Sequence, residues 1–387
     1  MVITSTVSPM LIIGLRFFGF WPGVSYSTIH WLSFMSSMLI IQYFQYLYIF
    51  THLKISELTN FVDSLMVTLV YSLTFLKLIG LWIHRRVLHK ILVDMDNDWR
   101  ECINVDQHLH IMTIKANVSH FCSNVLLSIN TIGSALYLLG DDVVRFIFPT
   151  EDYNVTIRQL PIKIQFPFET QQSPIFEFFV VSTFLHGMLQ VWSIAILNGL
   201  IITLVHHVSG QVDVICQEFR NISRTTLLYG SSLSSFGILV ERHNRIISFS
   251  ENIEELFSFI ALMQVVWNTL VICCLGFIII LSIHNETGVF ALMKTMIAYL
   301  AITMEAFIIC FAGEYLSFKG KSIARATYET PWYDMPSKQN KIIIFILMKS
   351  QKRLAITAGK MMDMSFETFT SIMKASVSYV SVLYAML

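Results

Sequence analysis

The C-terminal stretch KASVSYVSVLYAML, Lys374 to Leu387, is predominantly apolar and places a small or hydroxylated residue at every third or fourth position. Successive residues of an α-helix are about 100° apart, so such a spacing collects these residues on one side. Ser371, Ala375 and Ser378 fall within about 40° of a common line on the helix. Val382 continues this narrow face. The opposite side carries larger side chains, namely Met373, Val377, Val380 and Tyr384.

The narrow face has two interpretations, and the sequence leaves both open. Small residues allow neighbouring membrane helices to approach closely, so the face is typical of packing against another helix. Alternatively, several copies of the helix surround an axis and direct their narrow faces, including Ser378, at a shared pore. In that arrangement Val382, Ala385 and Met386 form an apolar outer end, which is typical of a gate that closes by excluding water.

The composition of the whole chain indicates an integral membrane protein. Of 387 residues, 55% are hydrophobic and only 13% are charged, with a mean hydropathy of +0.62. A water-soluble fold of this length cannot bury so much apolar surface. The formal net charge is zero, which gives no indication of nucleic-acid binding. The first residues lack the pattern of a signal peptide, and we expect the N-terminus to stay in the mature protein.

Seven apolar stretches reach the length of about 20 helical residues that a bilayer requires. They are Ser27–Phe50, Phe61–Ile83, Ser119–Leu139, Pro174–Val205, Leu256–Leu281, Gly288–Ala312 and Phe366–Leu387. The run IIIFILM, Ile342 to Met348, is too short to span and lies between charged stretches, so we predict a helix buried in protein below the membrane. The predicted fold class is an all-α membrane protein with seven transmembrane helices.

The distribution of Lys and Arg predicts the orientation, because positively charged loops stay in the cytoplasm. Nineteen of these residues fall on the side of the N-terminus and four on the other side. The N-terminus is therefore predicted to be intracellular and, after seven crossings, the C-terminus extracellular. The glycosylation pattern Asn154-Val-Thr lies in the longest predicted outer loop, which agrees with this topology.

Two other classes of membrane protein remain as alternatives. A G-protein-coupled chemoreceptor also has seven spans, but its N-terminus is extracellular. A transporter or intramembrane enzyme would show paired ionisable or metal-binding residues deep in several spans. Only Glu305 approaches that, as a candidate for pairing within the bundle. Lys77, Asp63 and Lys294 lie nearer the membrane faces, and we expect them to extend to the interface.

Motifs of enzyme chemistry are not apparent, and we predict no enzyme activity, cofactor or metal. The six cysteines lie in inner loops or spans and are expected to be reduced. The histidines at positions 84, 89, 108, 110, 206 and 207 are interpreted as interfacial or solvated rather than metal-binding. The stretch GSSLSSFG, Gly230 to Gly237, is interpreted as a turn in an inner loop.

The last sixty residues carry a specific set of motifs, and on these the chain resembles the insect odorant receptor family. The matching elements are Tyr328, Trp332, Ser350-Gln351-Lys352, Ala358-Gly359-Lys360, the Phe366–Thr370 stretch and Ser378-Tyr379. Arg353 stands where many members carry proline, a difference that affects only the local loop. The preceding residues match the family in layout more than in motif.

This resemblance implies an odorant-gated, non-selective cation channel, built as a tetramer with the odorant co-receptor in the plasma membrane of sensory neuron dendrites. It divides the chain into a six-helix ligand-binding bundle with inner-loop helical extensions (1–312), a cytoplasmic anchor region (313–362) and a pore-lining helix (363–387). The seventh helix is thereby split into an anchor half and a pore half. Tyr328 and Trp332 would lie at subunit contacts, and the gate would map to Val382, Ala385 and Met386. The inner loop from Ser209 to Glu254 is shorter than the co-receptor's insertion, which indicates a ligand-tuning subunit.

The resemblance also suggests a pocket for a small hydrophobic odorant in the outer halves of the second, third, fourth and sixth helices. Asn130, Gly133 and Tyr137 have a spacing similar to that of the family pocket. Further candidates are placed by depth alone: Leu65, Leu69, Phe184, Met188, Met296 and Tyr299. Ordinary packing within the bundle is the alternative for each of them. A lining of Met and aromatic residues suits apolar ligands, since it gives contact without directed hydrogen bonds.

Overall fold

Long apolar runs with few internal helix breakers fold almost entirely into α-helices, as the sequence predicts. The computed structural model describes residues 5–51, 58–147, 160, 162–166, 172–229, 233–284 and 289–385. Its helices are α1 (Pro9–Phe17), α2 (Ser27–Thr51), α3 (Leu58–Ile83), α4 (Arg85–Cys102), α5 (Asp106–Ile147), α6 (Ile175–Tyr229), α7 (Leu233–His284), α8 (Val289–Tyr328), α9 (Ser337–Ser350) and α10 (Phe366–Ala385). A short 3-10 helix (Trp332–Asp334) precedes α9, and a hairpin of β1 (Thr357–Ala358) and β2 (Met362–Asp363) precedes α10.

Each of the seven predicted spans coincides with one of the longer helices. Within the described residues, α3, α5, α6, α7 and α8 are long and apolar enough to cross a membrane by length and composition. The helices α2 and α10, with 25 and 20 residues, have the required length but carry more Ser, Thr, Gln and Tyr. At 1.5 Å per residue, 20 residues extend about 30 Å, which equals the hydrocarbon thickness.

Four of the spans continue well beyond the bilayer as unbroken helices. The helices α5, α6, α7 and α8 contain 42, 55, 52 and 40 residues. A helix of 55 residues is about 80 Å long, so more than half of α6 lies outside a core about 30 Å thick. With α4, α9 and the hairpin, these extensions form a second, more polar layer.

The turn predicted at Gly230 to Gly237 is wrong for its second half, because residues 233–237 begin α7. Gly230 and its two successors lie outside the described residues.

One continuous apolar core joins the two layers. It extends from α1 through α3, α6 and α7 to α8, α9 and the hairpin. Leu15, Leu81, Leu200, Leu256 and Leu316 are fully buried in it. Because this core is closely packed, the helical extensions keep a fixed position relative to the membrane bundle.

The segment before α1 is inserted into the second layer by hydrogen bonds. The Thr6 hydroxyl accepts from Trp99 Nε1 at 2.9 Å and lies 3.1 Å from His207 Nδ1. Its carbonyl accepts from Ser119 Oγ at 3.0 Å. Thr6 is therefore bonded to α4, α5 and α6 at once. His207 Nε2 lies 3.0 Å from Asp98, which completes a buried network.

The hairpin explains the Ala358-Gly359-Lys360 motif. Gly359 and Lys360 have φ angles of +59° and +60°, and Met361 N donates to Ala358 O, which closes a tight turn. Gly359 N donates to the Ser258 carbonyl at 2.9 Å, so the turn is bonded to α7. A Cβ on Gly359 would lie 2.8 Å from Leu262 Cδ2. Glycine is required here by both the left-handed backbone and the close approach of α7.

We expect Gly359→Ala to destabilise the protein by about 2 kcal/mol or more, because alanine adds about 1–2 kcal/mol of backbone cost and overlaps Leu262. Gly23→Ala is the matched control, since Gly23 has a φ of +78° but open space around it. The apparent melting temperature, measured by fluorescence-detected size-exclusion chromatography, should fall further for Gly359→Ala than for Gly23→Ala. Equal shifts would contradict the role of the contact with Leu262.

Candidate ligand pocket and pore helix

Two apolar clusters lie beside α3 and α5, one toward α6 and the other toward α7, α8 and α10. The first, which we call the loop cluster, contains Tyr71, Leu138 and Ile162, with Ile41, Val67, Tyr137, Ile164, Phe184 and Met188 packed against them. The second, the pore-helix cluster, contains Met66, Val271, Ile272, Leu275, Ile302 and Ile372, with Val67, Leu69, Val70, Tyr137, Val265, Ala298, Tyr299 and Met373 packed against them. Tyr137 and Val67 belong to both clusters, so the two form one continuous apolar region.

Five of the nine predicted pocket residues lie in these clusters. Phe184 and Met188 are in the loop cluster, Leu69 and Tyr299 are in the pore-helix cluster, and Tyr137 borders both. Because four different helices contribute these residues, the sequence spacing alone does not explain their proximity. Their shared character, apolar or aromatic and half-buried, suits contact with a small apolar ligand.

On α5, the three residues with the family spacing have different surroundings. Tyr137 packs under the Lys294 ammonium of α8, whose Nζ is 4.6 Å from the ring centroid. A Cβ on Gly133 would lie 3.9 Å from Ile297, also of α8. Asn130 donates its amide to the Leu126 carbonyl of its own helix at 2.8 Å. Of these three residues, Gly133 and Tyr137 therefore lie close to α8, whereas Asn130 bonds to its own helix.

Leu65 and Met296, which were placed by depth, lie outside both clusters. Leu65 is half-buried, and Met296 is 40% exposed on α8. Conversely, sequence reasoning missed Ile162 and Ile164, which reach the loop cluster from the segment before α6. Their only signal is the alternation of apolar and polar residues around Lys163.

Residues 162–166 cover the loop cluster from the outside. Lys163 Nζ lies 2.9 Å from Asp63 Oδ2 of α3, and Gln165 N donates to the Phe44 carbonyl of α2. Phe166 packs on the Phe44 ring with centroids 5.1 Å apart. This loop is held to α2 and α3 next to the candidate pocket. The sequence predicted that Asp63 extends to the membrane interface, but it did not predict this ion pair with the loop.

The membrane interior contains an ion pair that overturns the expectation for Lys77. Lys77 of α3 pairs with Glu305 of α8, and both side chains are almost completely buried. Gln264 of α7 donates its amide to the Glu305 carbonyl at 2.9 Å. Lys77 does not extend to the interface because Glu305 lies opposite it inside the bundle. Glu305 is paired within the bundle, as the sequence suggested for it.

The helix α10 buries one face against α7, and its narrow face is largely exposed among the residues that the structure describes. Thr368, Ile372, Ser376 and Val380 form the buried face. Val380 Cγ2 would lie 3.1 Å from a Cβ on Gly276, and Ser376 donates to the Thr269 carbonyl of α7. On the narrow face Ser371, Ser378, Val382 and Ala385 are exposed, and Ala375 is half-buried. Met386 lies outside the described residues.

Apolar side chains also remain exposed in the anchor region. Of the run Ile342 to Met348, Ile343 and Ile346 are buried, whereas Ile344, Phe345 and Met348 are exposed. The predicted helix is present as α9, but in this chain only one of its faces is buried. Tyr328 is 66% exposed, and Trp332 is half-buried against the main core. Exposed apolar area of this kind is typical of a contact with another protein.

Three of the histidines are buried, which corrects their interpretation as solvated. His108, His206 and His207 are at most 8% exposed. They become buried because the helical extensions pack together into the second layer. Within the described residues, no group of His, Cys, Asp and Glu has the arrangement of a metal site.

All six cysteines are free thiols. Burial raises the pKa of the Cys102 thiol, on α4, to about 11. A thiol with this pKa stays protonated at neutral pH and is a poor nucleophile. Cys102 packs beside Trp99 in a small cluster of the second layer, where it acts as a small apolar residue.

The sequence is similar to known receptors over much of its length. A model of the family described as "7tm Odorant receptor" matches residues 57–377. Odorant receptor 22c of Drosophila melanogaster is 26% identical over 238 residues, which cover 58% of this chain and 57% of that receptor. Odorant receptor 13a of the same species is 23% identical over 352 residues, 85% of this chain and 81% of that receptor. The odorant receptor coreceptor of Harpegnathos saltator is 25% identical over 145 residues, which cover 29% of that protein.

A solved structure has the same fold. The olfactory receptor OR5 from Machilis hrabei, in complex with eugenol, superimposes with a TM-score of 0.77 over 97% of both chains, at 15% sequence identity. Its structure without the ligand gives a TM-score of 0.76 over 96% of both chains. This likeness confirms the all-α fold with seven membrane helices. Since the family match extends over most of the sequence, the chain belongs to the insect odorant receptor family.

Proposed function

We propose that this chain is the ligand-tuning subunit of an odorant-gated, non-selective cation channel, which it forms as a tetramer with the odorant co-receptor. Membership of the odorant receptor family supports a receptor role, and the similarity to coreceptors supports assembly with one. The observation that carries the proposal is the pore-helix cluster. In it, the candidate pocket residues Leu69, Tyr137 and Tyr299 share one packed unit with Ile372 and Met373 of α10.

The ligand in this proposal is a small, apolar, volatile or semi-volatile molecule. Phe184, Met188 and Tyr137 offer aromatic and thioether surface to it in the loop cluster. A molecule that buries about 300 Å² gains roughly 7.5 kcal/mol at about 25 cal/mol per Å² before the costs of association. Such a gain corresponds to micromolar or weaker binding. The receptor then responds to ligand at micromolar or higher concentrations.

Opening follows from differential binding to two arrangements of the helices. A ligand shifts the equilibrium only if it binds the open arrangement more tightly than the closed one. Filling the region around Tyr137 displaces side chains of the pore-helix cluster, which also contains Val271 and Leu275 of α7 and Ile372 of α10. Packed cores respond to such changes by discrete repacking, since they tolerate little deformation. In the proposed mechanism α10 then moves Val382 and Met386 away from the axis.

The proposed assembly places the narrow face of α10 around a central pore and the anchor region between subunits. The bundle of residues 1–312 binds the ligand, the region 313–362 holds subunits together through Tyr328 and Trp332, and 363–387 lines the pore. The exposure of Val382 and of the outer face of α9 supports this arrangement. The N-terminus is cytoplasmic and the C-terminus extracellular in the plasma membrane of sensory dendrites, as the basic residues predict.

The test is to express the chain with and without the co-receptor and to record whole-cell currents against a panel of volatiles. We expect ligand-evoked cation currents in the co-expressing cells, unchanged when G-protein signalling is blocked from the pipette. An N-terminal epitope should be inaccessible to antibody on intact cells. An accessible epitope and currents that require G proteins would establish the alternative, a G-protein-coupled chemoreceptor.

The gate is tested by Val382→Gln and Met386→Gln, alone and together. A polar side chain favours water in an apolar constriction, so we expect basal current without ligand to rise about tenfold in the double variant. Val377→Gln is the matched control, because Val377 is exposed on the opposite, bulky side of α10. Unchanged basal and evoked currents in the double variant would count against this gate.

A further inference from the structure

The cytoplasmic ends of α1, α2 and α3 form a cluster of tryptophans and arginines at the predicted membrane boundary. Trp31 of α2 stacks on Trp82 of α3, with centroids 4.4 Å apart and planes at 11°. The Arg85 guanidinium lies over the other side of the stack, 4.3 Å from the Trp82 centroid. The Arg16 guanidinium, at the end of α1, lies 5.9 Å from the Trp21 centroid.

These pairs form one patch because Phe20 joins them. Phe20 follows Arg16 closely in the chain, and its ring contacts Trp82 with centroids 6.2 Å apart. Phe20 is buried, whereas Arg16 is exposed and Arg85 is half-buried. The two arginines therefore lie at or near the surface, each against the ring of a tryptophan. We call Arg16, Trp21, Trp82 and Arg85 the boundary patch.

The charge of the boundary patch is not neutralised by acidic residues. Within the part of the chain that the structure describes, Arg16, Arg85 and the adjacent Arg86 form no ion pair. The sequence has no Asp or Glu before Glu57, and α4 has none before Asp94. The N–H groups of a guanidinium lie in its own plane, so stacking on an aromatic ring leaves them free to donate hydrogen bonds. Phosphate is one of the two acceptors, with carboxylate, that such a fork fits best.

The neighbouring surface of α1 identifies the environment of this phosphate. Leu11 and Leu15 of α1 are buried in the core, whereas Met10, Ile13 and Phe17 are exposed. These three exposed residues fall within about 60° of one another around the helix, beside Arg16. An apolar face next to basic residues is typical of a helix that lies at the boundary of head groups and acyl chains. Tryptophan is likewise enriched at this depth.

We propose that the boundary patch binds the head group of an anionic phospholipid of the cytoplasmic leaflet, with the acyl chains against the exposed face of α1. Arg16 and Arg85 donate to the phosphate oxygens, and Trp82 holds Arg85 in place. Since α1 and the ends of α2 and α3 meet here, the bound lipid ties the start of the chain to the ligand-binding bundle. The site is separate from the proposed odorant pocket and pore, and its test does not depend on channel activity.

The experiment measures lipid binding to the purified full-length receptor by native mass spectrometry. Phosphatidylserine and phosphatidylcholine with identical acyl chains are titrated separately. We expect preferential binding of phosphatidylserine by the wild type and about a 30-fold loss of this preference in Arg16→Gln/Arg85→Gln, about fivefold for each guanidinium. Arg16→Lys/Arg85→Lys keeps the charge and should retain the preference within about fivefold. If the double Gln variant does not elute as a folded protein, Arg16→Gln and Arg85→Gln are compared singly, each with the fivefold loss expected.

Arg220→Gln/Lys321→Gln is the matched control, because it removes two exposed cytoplasmic charges far from the patch and should leave the preference unchanged. Equal binding of the two lipids by the wild type, or an unchanged preference in Arg16→Gln/Arg85→Gln, would overturn the proposal. Soluble glycerophosphoserine is the final arm. Displacement of the lipid by an equal concentration of this compound would assign the patch to free phosphates and contradict a lipid site.

Discussion

Lys77→Met alone is expected to prevent most of the protein from reaching the cell surface. The substitution leaves the Glu305 carboxylate buried and without its partner, which costs about 3–5 kcal/mol. Since natural proteins are stable by about 5–15 kcal/mol, this loss removes a large part of the margin. Glu305→Gln should act similarly, because it leaves the Lys77 ammonium buried. Surface biotinylation and fluorescence-detected melting curves measure both effects.

The double variant Lys77→Met/Glu305→Leu distinguishes the charge from the space that the pair fills. It removes both charges and keeps an apolar contact between α3 and α8, so we expect recovery to near the wild-type melting temperature. Lys321→Met is the control for a lysine exposed on α8. If either single variant kept the wild-type melting temperature and surface level, the pair would contribute nothing to stability, and its role in holding α3 to α8 would be rejected.

Tyr137→Ala is expected to raise the half-maximal odorant concentration by about 30- to 100-fold in cells that also express the co-receptor. The ring borders both the loop cluster and the pore-helix cluster, so its removal takes contact from the ligand and from the path to α10. Loss of a large buried side chain is worth about 2–3 kcal/mol, which corresponds to this range. Dose–response curves of whole-cell current, normalised to surface expression, measure the shift.

Two further variants separate the ring from other effects of the change. Tyr137→Phe keeps the ring and should shift the curve by about fivefold or less, the value of one hydrogen bond. Tyr43→Ala removes a tyrosine that is 64% exposed on α2 and should leave the curve unchanged. An unshifted curve for Tyr137→Ala at normal surface expression would exclude this residue from the ligand site.

The membrane helices were predictable because their signal is local. Twenty consecutive apolar residues need no knowledge of the remaining chain, and each predicted span coincides with one helix over its described residues, apart from Pro174 just before α6. The helical extensions beyond the spans were harder to predict, since no helix-breaking residue separates the apolar span from the polar residues that follow it. In α6, for example, the helix continues from the apolar Val205 through His206 and His207 without a residue that would end it.

Long-range pairings account for what the sequence did not reveal. Lys77 and Glu305 are 228 positions apart, so the position of each within its own span suggested different roles. Ile162 reaches the loop cluster from a segment that the Lys163–Asp63 ion pair and the Gln165–Phe44 hydrogen bond hold against α3 and α2. Of the residues predicted for the pocket, the two apolar clusters contain Tyr137, which the family spacing suggested, and four that were placed by depth, namely Leu69, Phe184, Met188 and Tyr299.

The bonding of Thr6 to both Trp99 and His207 has a consequence for biosynthesis. Thr6 cannot make these bonds until some two hundred further residues have been synthesised, which takes about 10–40 s at ordinary rates of translation. During this interval the segment around Thr6 lacks its native partners. Its insertion between α4, α5 and α6 is therefore a late step of folding, which requires that these three helices have already packed together.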